Sequence, residues 1–359
     1  MRATMKRDLK RDDVAGTRGK KLTPVIASEA GANYSAGDDD FDLAAAALGA
    51  AESAAATIEL VTPENPDGTR IDLFLSRLVP QFSRARLQTW LDDGRISADG
   101  APATAKTRLL GGEAVRIVTA PSAEQQAFAP EPVPLDILFE DAHIIVLNKR
   151  PGLVVHPAPG NWSGTVLNGL LHHAPLLARV PRAGIVHRLD KDTSGLMAVA
   201  KTLEAQTALV RQLQTRTVRR EYLAVAAGVV TQAGTVDAPI GRHPSQRTQM
   251  AVLAADAAGA KPAVTHYTPL AVYARGATLL ECRLETGRTH QIRVHLRHIG
   301  HALAGDAVYG AMPSRAWFGR QALHARKLAF KHPHTKRLVT FDAPPPADMA
   351  ALIAALESE

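Results

Sequence analysis

One aspartate, Asp190, lies where a carboxylate can do chemistry, between an apolar run and a Thr-Ser-Gly turn in the stretch GIVHRLDKDTSGLMAVAKT of residues 184–202. The β-branched and apolar residues 184–186 predict a short buried strand, residues 192–195 a turn, and residues 196–200 the next strand. Asp190 would then lie near a strand end, beside a loop. A carboxylate in that position is suited to serve as a nucleophile or as a base.

The same stretch has other interpretations. The spacing Asp190-x-Asp192-x-Ser194 partly matches the nucleophile loop of haloacid dehalogenase-like phosphatases, which bind Mg²⁺, but His187 and Arg188 precede it and no later paired acidic motif appears. A kinase catalytic loop needs His-Arg-Asp, a later Asn and a Gly-rich phosphate loop, whereas this chain has His-Arg-Leu-Asp and neither companion. Taken alone, the aspartate would be interpreted as an ion-paired structural residue at a strand end.

Further polar motifs occur in a fixed order along the chain. They are NKRPGLVVHP at 148–157, GTVLN at 164–168, HRLD at 187–190, REYL at 220–223, KPAVT at 261–265, GRTHQIRVH at 287–295, Gly305-Asp306 and Tyr309. In this order they resemble the pseudouridine synthases of the RluA family over roughly residues 62–345, and the front end resembles the RluC/RluD branch. The resemblance implies that the chain isomerises specific uridines of ribosomal RNA, in particular the 23S RNA of the large subunit, without a cofactor.

The reaction of this family breaks a glycosidic C–N bond, turns the uracil and rejoins it through carbon. A carboxylate buried alone takes up a proton, whereas one that faces a guanidinium stays charged. The resemblance therefore makes Asp190 the catalytic carboxylate and Arg293 its cationic partner. Because a stacked uridine must be flipped out of the RNA, Arg188 is expected to brace the vacated stack. Tyr222 is expected to offer the uracil an aromatic face, although its apolar strand alone would indicate a core residue.

Other basic and polar residues are predicted to contact the RNA. Those expected to bind the substrate are Lys149, Arg288, His290 and Gln291. Those expected to line a groove for phosphates are Arg211, Arg216, Arg219, Arg220, Arg242, Arg247 and Lys261. No carboxylate or cysteine completes a metal-binding spacing with the histidines, so no metal is expected.

Ahead of these motifs, residues 62–120 predict a small αβ unit. The apolar spacing of residues 71–78 predicts a helix, Ser83 is a candidate N-cap for a second helix, and residues 114–118 predict a strand. This unit resembles the S4 RNA-binding fold. Its predicted RNA contacts are Ser83, Arg84 and Arg86.

The remaining segments complete the predicted organisation. Residues 1–60 are expected to be a disordered extension because they lack the apolar content of a core. Residues 121–134 are Pro-rich and predict a linker, and residues 135–350 mix short strands with helices. The predicted fold class is α+β, with a catalytic domain built on a largely antiparallel mixed sheet and preceded by the S4-like unit.

Composition limits the partners. A net charge of +7 favours a polyanionic partner such as RNA, and the only cysteine, Cys282, excludes an intrachain disulfide and favours a reducing cytoplasm. No apolar run reaches the ~18 residues of a membrane span, and no phosphate loop or dinucleotide fingerprint is present. We therefore expect a cytoplasmic monomer that uses no nucleotide cofactor. The alternative is a catalytically inactive RNA-binding or ribosome-assembly protein, against which the presence of Asp190, Tyr222, Arg188 and Arg293 argues.

Overall fold

A computed structural model describes residues 56–64, 68–120, 127–246 and 248–359 of the chain. One hydrophobic core forms within the N-terminal αβ unit, and several adjoining cores form within the larger unit that follows it. Within the described ranges, no helix is long and apolar enough to cross a membrane.

The N-terminal αβ unit combines short strands with two helices. Its elements are β1 (Thr57–Val61), β2 (Thr69–Arg70), α1 (Ile71–Leu78), α2 (Arg84–Asp92), β3 (Ile96–Ala98), β4 (Ala101–Pro102), β5 (Arg108–Leu109) and β6 (Ala114–Val118). Strands β1, β6, β3 and β4 form an antiparallel sheet in that order. Both predicted helices and the predicted strand at residues 114–118 are confirmed. Ser83 caps α2 by accepting a hydrogen bond from the backbone N–H of Arg86 at 3.3 Å.

Strand β1 corrects the predicted extent of the N-terminal extension. The sequence predicts disorder through residue 60, whereas β1 pairs with β6 along its whole length. Ile58 and Leu60 alternate with polar residues and pack against the core of the unit, as the two-residue period of a strand requires. A strand this short carries too few apolar residues to stand out by composition. The rest of the predicted extension, residues 1–55, lies outside the described residues.

In the described residues from 127 onward, the larger unit contains eleven strands and four α-helices. The strands are β7 (Ile137–Glu140), β8 (Ile144–Lys149), β9 (Ser194–Ala200), β10 (Arg219–Ala227), β11 (Gly234–Asp237), β12 (Ile240–Arg242), β13 (Met250–Val252), β14 (Val264–Tyr273), β15 (Ala277–Leu284), β16 (Leu323–Lys331) and β17 (Leu338–Asp342). The helices are α3 (Val166–His173), α4 (Leu203–Gln214), α5 (Gln291–His298) and α6 (Ala347–Glu357).

Nine of these strands form one sheet in the order β11-β14-β15-β10-β16-β9-β8-β7, with β17 paired to β16. Strands β12 and β13 form a separate antiparallel pair. Within the large sheet, β9 and β16 are parallel, and the other pairings are antiparallel. The predicted α+β class with a largely antiparallel mixed sheet is confirmed.

Helices cover both faces of this sheet. On β8, Ile145 and Leu147 share a core with residues of α3 and α5, whereas Ile144 and Val146 share a core with residues of α4. Successive side chains of a strand point to opposite faces. A strand covered on both faces therefore reads as a continuous apolar run, which is how β8 and β9 appear in the sequence.

The segment before Asp190 is not the strand that the sequence predicts. Residues 181–184 form a tight turn in which Arg182, Ala183 and Gly184 have left-handed backbone angles, and Ile185 makes one isolated bridge to Val199. Gly184 has a φ of 77°, and a Cβ there would lie 1.8 Å from the carbonyl oxygen of Ala200. The chain is therefore pressed against the end of β9 at this point. Strand β9 itself begins at residue 194, inside the predicted turn.

Residues 127–134 belong to the larger unit rather than to a linker. The buried amide Nδ2 of Asn168 donates to the carbonyl oxygens of Ala127 and Ala129, each at 2.9 Å. Phe128 packs against the main core. These contacts fix the segment against the start of α3. The first part of the predicted linker lies outside the described residues.

Candidate active site

The fold brings Asp190 and Arg293 together across 103 residues of sequence. Asp190 lies in the loop before β9, and Arg293 lies on α5. Arg293 Nη1 donates to Asp190 Oδ2 at 3.1 Å. Arg293 Nε and Nη2 donate to the two carboxylate oxygens of Asp306 at 2.8 and 3.0 Å. The predicted Asp190–Arg293 pair is thus present, and the same guanidinium also binds a second carboxylate.

The three charged groups differ in exposure. The Asp306 side chain is fully buried, that of Arg293 is 6% exposed and that of Asp190 is 17% exposed. Burial would raise the pKa of Asp306, but Arg293 and the N–H groups of Val308 and Tyr309 hold that pKa below its usual value. Burial acts to lower the pKa of Arg293, and the two carboxylates raise it further than burial lowers it. The guanidinium is therefore permanently charged and fixed in orientation.

His290 and Tyr309 complete the surroundings of Asp190. His290 Nε2 lies 4.0 Å from Asp190 Oδ1, and His290 Nδ1 lies 2.8 Å from the Tyr309 hydroxyl. The same hydroxyl accepts a hydrogen bond from the backbone N–H of Met250 at 2.9 Å. The guanidinium carbon of Arg293 lies 5.0 Å from the centre of the Tyr309 ring, a cation–π distance. Tyr309 thus contacts both residues that flank Asp190.

Asp306 and Tyr309 are site residues to which the sequence alone gave no role. Both occur in the ordered motifs, and Asp306 lies two residues after the short apolar run of residues 302–304. An aspartate next to a buried segment needs a partner, because an isolated buried carboxylate is costly. The sequence carries that signal, but it does not identify Arg293 as the partner.

Tyr222 lies on β10 and is buried, with 6% of its surface exposed. It pairs with Cys282 on β15 and with Ala325 on β16, in the middle of the sheet. Burial raises its pKa, Arg220 acts to lower it and the negative charge of Asp190 raises it, so that the pKa stays above its usual value. The hydroxyl is therefore protonated. Its role toward uracil stays a prediction.

Lys149 holds the loop that carries Asp190 instead of reaching outward. Its side chain is buried, and Nζ donates to the carbonyl oxygens of Arg150, Leu153 and Lys191 at 3.0, 2.9 and 2.8 Å. Burial lowers the pKa of Lys149 to about 7, against the attraction of Asp190. Because the three ammonium hydrogens are used within the protein, the structure gives Lys149 a positioning role in place of the predicted substrate contact.

Gln291 is also used internally. Its Oε1 accepts hydrogen bonds from Thr286 Oγ1 at 2.8 Å and from the backbone N–H of Arg288 at 2.9 Å. Its Nε2 donates to the carbonyl oxygen of Val264 and to Thr265 Oγ1, both at 3.0 Å. These four bonds fill the capacity of the amide. Gln291 therefore ties the start of α5 to β14, which corrects the prediction that it contacts the substrate.

Two predicted substrate contacts lie nearer the surface. Arg188 is exposed and lies two residues before Asp190. Arg288 is half-buried, and its Nε donates to the carbonyl oxygen of Pro262 at 3.2 Å. Their roles toward RNA stay predictions.

One of the arginines predicted to line a groove for phosphates, Arg220, is buried. Arg220 is 8% exposed, and its Nη2 donates to the carbonyl oxygen of Glu285 at 3.2 Å, so its guanidinium lies inside the protein. Arg216 reaches the Glu285 carboxylate at 3.0 Å from the surface. Arg247 lies outside the described residues.

In the αβ unit, Arg84 and Arg86 have different surroundings. Arg84 is 48% exposed and donates Nε and Nη2 to the buried carboxylate of Asp72 at 3.0 and 2.8 Å. Arg86 lies over the ring of Trp90, 5.0 Å from its centre, and its Nη2 donates to the carbonyl oxygen of Ala120 at 2.7 Å. Arg84 thus presents a fixed cation at the surface, whereas Arg86 braces α2.

Histidines outside the site serve the fold. His187 Nε2 accepts a hydrogen bond from the backbone N–H of Ala198 at 3.0 Å, and burial lowers the pKa of His187 to about 3. His295 is buried between Thr265 and the carbonyl oxygen of Ala238. Among the described residues, no group of three or more His, Cys, Asp or Glu side chains is arranged to hold a metal ion.

Residues 143–298 match the family model described as RNA pseudouridylate synthase. The ribosomal large subunit pseudouridine synthase D of Nitrosomonas europaea is 52% identical over 344 residues, covering 94% of this chain and 97% of that protein. The protein of the same name from Escherichia coli strain K12 is 50% identical over 309 residues, covering 82% and 93%. The solved structure of human RNA pseudouridylate synthase domain containing 1 aligns at 25% identity with a TM-score of 0.49, covering 67% of this chain and 98% of that one.

Proposed function

This chain belongs to the RNA pseudouridylate synthase family, and we propose that it isomerises uridines in the RNA of the large ribosomal subunit, with Asp190 as the catalytic carboxylate. Enzymes of this family are isomerases that act on RNA. The names of the relatives support the choice of substrate. One observation carries the assignment to Asp190: Oδ2 accepts a hydrogen bond from Arg293 at 3.1 Å, while 17% of the carboxylate side chain stays exposed.

The reaction requires an anionic group beside the sugar. Isomerisation breaks the bond from C1′ to N1 and forms a bond from C1′ to C5, so that one proton leaves C5 and one is gained at N1. A carboxylate can act in this reaction only while it is ionised. Arg293, itself fixed by Asp306, places a positive charge 3.1 Å from Asp190 Oδ2 and holds the orientation of that carboxylate.

The target uridine has to leave its stack before its glycosidic bond can be reached. We assign to Arg188 the role of bracing the stack that the uridine leaves. Arg188 is exposed and lies only two residues from Asp190 in the sequence. To Tyr222, which is buried on β10, we assign the aromatic face for the flipped uracil. Both assignments rest on the family resemblance, on the short sequence distance from Arg188 to Asp190, and on the effect of the Asp190 charge on the pKa of Tyr222.

The αβ unit is proposed to bind the RNA away from the reacting uridine. Arg84, oriented by Asp72, is its best-placed cation for a phosphate. A ribosomal RNA substrate places the enzyme in the cytoplasm, and we propose that one copy of the chain suffices for activity because Asp190, Arg293 and Asp306 come from a single chain.

The experiment is to incubate the purified chain with a transcript of the large-subunit RNA in excess EDTA and to map pseudouridines. We expect conversion of a small set of uridines by the parent and none by Asp190→Asn. RNA binding without any conversion by the parent would identify an RNA-binding protein instead. In a parallel assay with Mg²⁺ and no EDTA, phosphate release from phosphate esters would identify a phosphohydrolase.

A further inference from the structure

The space between Asp190 and His290 has a defined hydrogen-bonding character. Asp190 Oδ1 and His290 Nε2 lie 4.0 Å apart, which is too far for a hydrogen bond between them. One atom can nevertheless lie about 3 Å from both, as a reacting or recognised atom does in an active site. The His290 side chain is 22% exposed and that of Asp190 17%, so both groups are partly accessible to solvent.

The hydrogen bonds of Tyr309 determine whether His290 Nε2 presents a donor or an acceptor to this space. The backbone N–H of Met250 can only donate, so the Tyr309 oxygen accepts from it at 2.9 Å. The hydroxyl proton is then directed to His290 Nδ1, which lies 2.8 Å away. In the neutral imidazole the remaining proton therefore resides on Nε2. The opposite tautomer would turn the Nε2 lone pair toward the Asp190 carboxylate, which is repulsive.

Charge around His290 agrees with a neutral ring. Burial lowers its pKa, and the guanidinium groups of Arg293 and Arg188 lower it further, while the carboxylates of Asp190 and Asp306 raise it. The balance leaves the pKa of His290 below its usual value. The backbone of His290 is left-handed, with φ of 57°, at the start of α5.

We infer that Asp190 Oδ1 and His290 Nε2 form a subsite for the ribose 2′-hydroxyl of the target uridine, with Tyr309 as the positioning residue for His290. A carboxylate oxygen accepts and an Nε2–H donates, so one ligand atom that satisfies both must donate and accept. A hydroxyl does so, whereas a uracil carbonyl only accepts and the uracil N3–H only donates. The 2′-hydroxyl is the donor and acceptor group that distinguishes RNA from DNA.

The inference rests on the proposed function, because it places the target nucleotide at Asp190. It adds that His290 contacts the sugar and not the base. The subsite would hold C1′, whose bond is exchanged, at a fixed distance from the catalytic carboxylate.

The test is a cycle of two enzymes and two substrates. The substrates are RNA fragments that differ only in a 2′-hydroxyl or a 2′-deoxy group at the target uridine. The enzymes are the parent and His290→Asn, which loses the Nε2–H donor but suits the left-handed backbone, where asparagine is well tolerated. Single-turnover rates and RNA affinities are measured for all four pairs.

We expect the parent to lose at least about tenfold in rate or affinity on the deoxy substrate, because the hydrogen bond to the Asp190 carboxylate is lost together with the one from His290. In His290→Asn that loss should shrink by about threefold to tenfold, the contribution of one neutral hydrogen bond. An equal loss in both enzymes, or none in the parent, would overturn the subsite. Failure of the parent to convert the natural RNA would instead overturn the proposed function.

Tyr309→Phe tests whether Tyr309 acts on His290 through its hydroxyl or only packs its ring against Arg293. It keeps the ring against Arg293 but removes the hydroxyl that donates to His290 Nδ1, so the pKa of His290 should rise. A charged imidazole would pair with Asp190 directly. As the pH is lowered, the variant should therefore lose activity at a higher pH than the parent does. The deoxy penalty should shrink, as in His290→Asn. An unchanged pH profile together with an unchanged deoxy penalty would show that Tyr309 does not act through His290.

Discussion

At the scale of single residues, the proposed chemistry depends most directly on the charge of Asp190. Asp190→Asn keeps the side-chain size and removes that charge, so pseudouridine formation should fall by at least about 100-fold. The melting temperature should stay near that of the parent, because Arg293 keeps its two hydrogen bonds to Asp306. Single-turnover conversion, RNA affinity and thermal melting measured side by side would check this.

Asp192→Asn is the matched control for that change. It makes the same chemical substitution two residues later, in the turn before β9, where the side chain is half-buried and has no role in the proposed reaction. We expect it to retain most of the activity. If the Asp190 variant stayed active, or if only the Asp192 variant lost activity, the catalytic carboxylate would have been placed at the wrong position.

Asp306 should matter for stability as well as for activity. Asp306→Asn leaves the buried Arg293 with Asp190 as its remaining charged partner in the site. Breaking a buried ion pair costs about 3 to 5 kcal/mol. The N–H groups of Val308 and Tyr309 also lose a charged acceptor. We therefore expect a lower free energy of unfolding in denaturant titrations, and reduced activity because the orientation of Arg293 is lost.

Asp348→Asn gives the appropriate comparison. Asp348 accepts the same two-pronged contact, from Arg320 at 2.8 and 3.0 Å, but its side chain is 43% exposed. A pair of this kind contributes about 0 to 1 kcal/mol. Equal destabilisation by both substitutions would show that burial of the Arg293–Asp306 pair is not what makes it important.

The sequence predicted only part of the network of ion pairs and hydrogen bonds around Asp190. The Asp190–Arg293 pair was predicted from the family resemblance, and the need of a catalytic carboxylate for a cation agreed with it. Lys149 and Gln291 were predicted to contact substrate, because sequence shows that a residue is polar but not where its hydrogen bonds go. Both side chains are consumed by backbone and side-chain partners that only the folded chain brings near.

At the scale of elements, apolar spacing was enough to predict α1, which has no side-chain cap, whereas a capping residue marked the start of α2. Helix α2 begins after Ser83 and α4 begins after Thr202, and in each the side-chain oxygen accepts a backbone N–H of the first turn. The predicted strand at residues 184–186 was wrong because a short apolar run does not distinguish a strand from a buried turn. There, the close approach of Gly184 to β9 decided the backbone conformation.

The position of β1 leads to a prediction about truncation. Deleting residues 1–55 should leave the free energy of unfolding of the αβ unit unchanged, because β1 and its pairing with β6 remain. Deleting residues 1–61 removes β1, uncovers the edge of β6 and exposes the apolar surface that Ile58 and Leu60 cover. That second deletion should cost about 2 kcal/mol. Hydrogen exchange of the β6 amides in both proteins would measure the difference.

The two truncations act as controls for each other. Equal protection of β6 in both would mean that β1 contributes nothing to the sheet. Loss of protection in the shorter deletion would mean that residues before β1 support the fold, contrary to our expectation.

At the scale of the whole molecule, the sheet order explains what local patterns could not supply. The loop that carries Asp190 leads into β9, and β9 is parallel to β16, which lies more than a hundred residues later in the chain. Arg293 is likewise distant from Asp190 in sequence. Local propensity and periodicity describe elements, whereas pairing between distant strands depends on which faces can be buried together. The family resemblance supplied the pairing of Asp190 with Arg293, but the parallel pairing of β9 with β16 was not predicted.

The last prediction is that the larger unit carries out the reaction and that the αβ unit contributes to RNA affinity. The cores of the larger unit contain no described residue before 127, so a fragment of residues 127–359 should fold alone. It retains Asp190, Arg293 and Asp306, and its rate at saturating RNA should stay near that of the full chain. RNA affinity should fall by about tenfold or more, and the dependence of affinity on salt should weaken, because cations such as Arg84 are removed.

A fragment of residues 135–359 is the control, because it also removes Phe128 and the carbonyl partners of Asn168. That shorter fragment should be less stable than the fragment of residues 127–359, since Asn168 would lie in the core with unpaired N–H groups. Unchanged affinity and an unchanged choice of uridines in the longer fragment would mean that the αβ unit does not bind the substrate. The surface that selects the RNA would then belong to the larger unit, around Arg188 and Arg288.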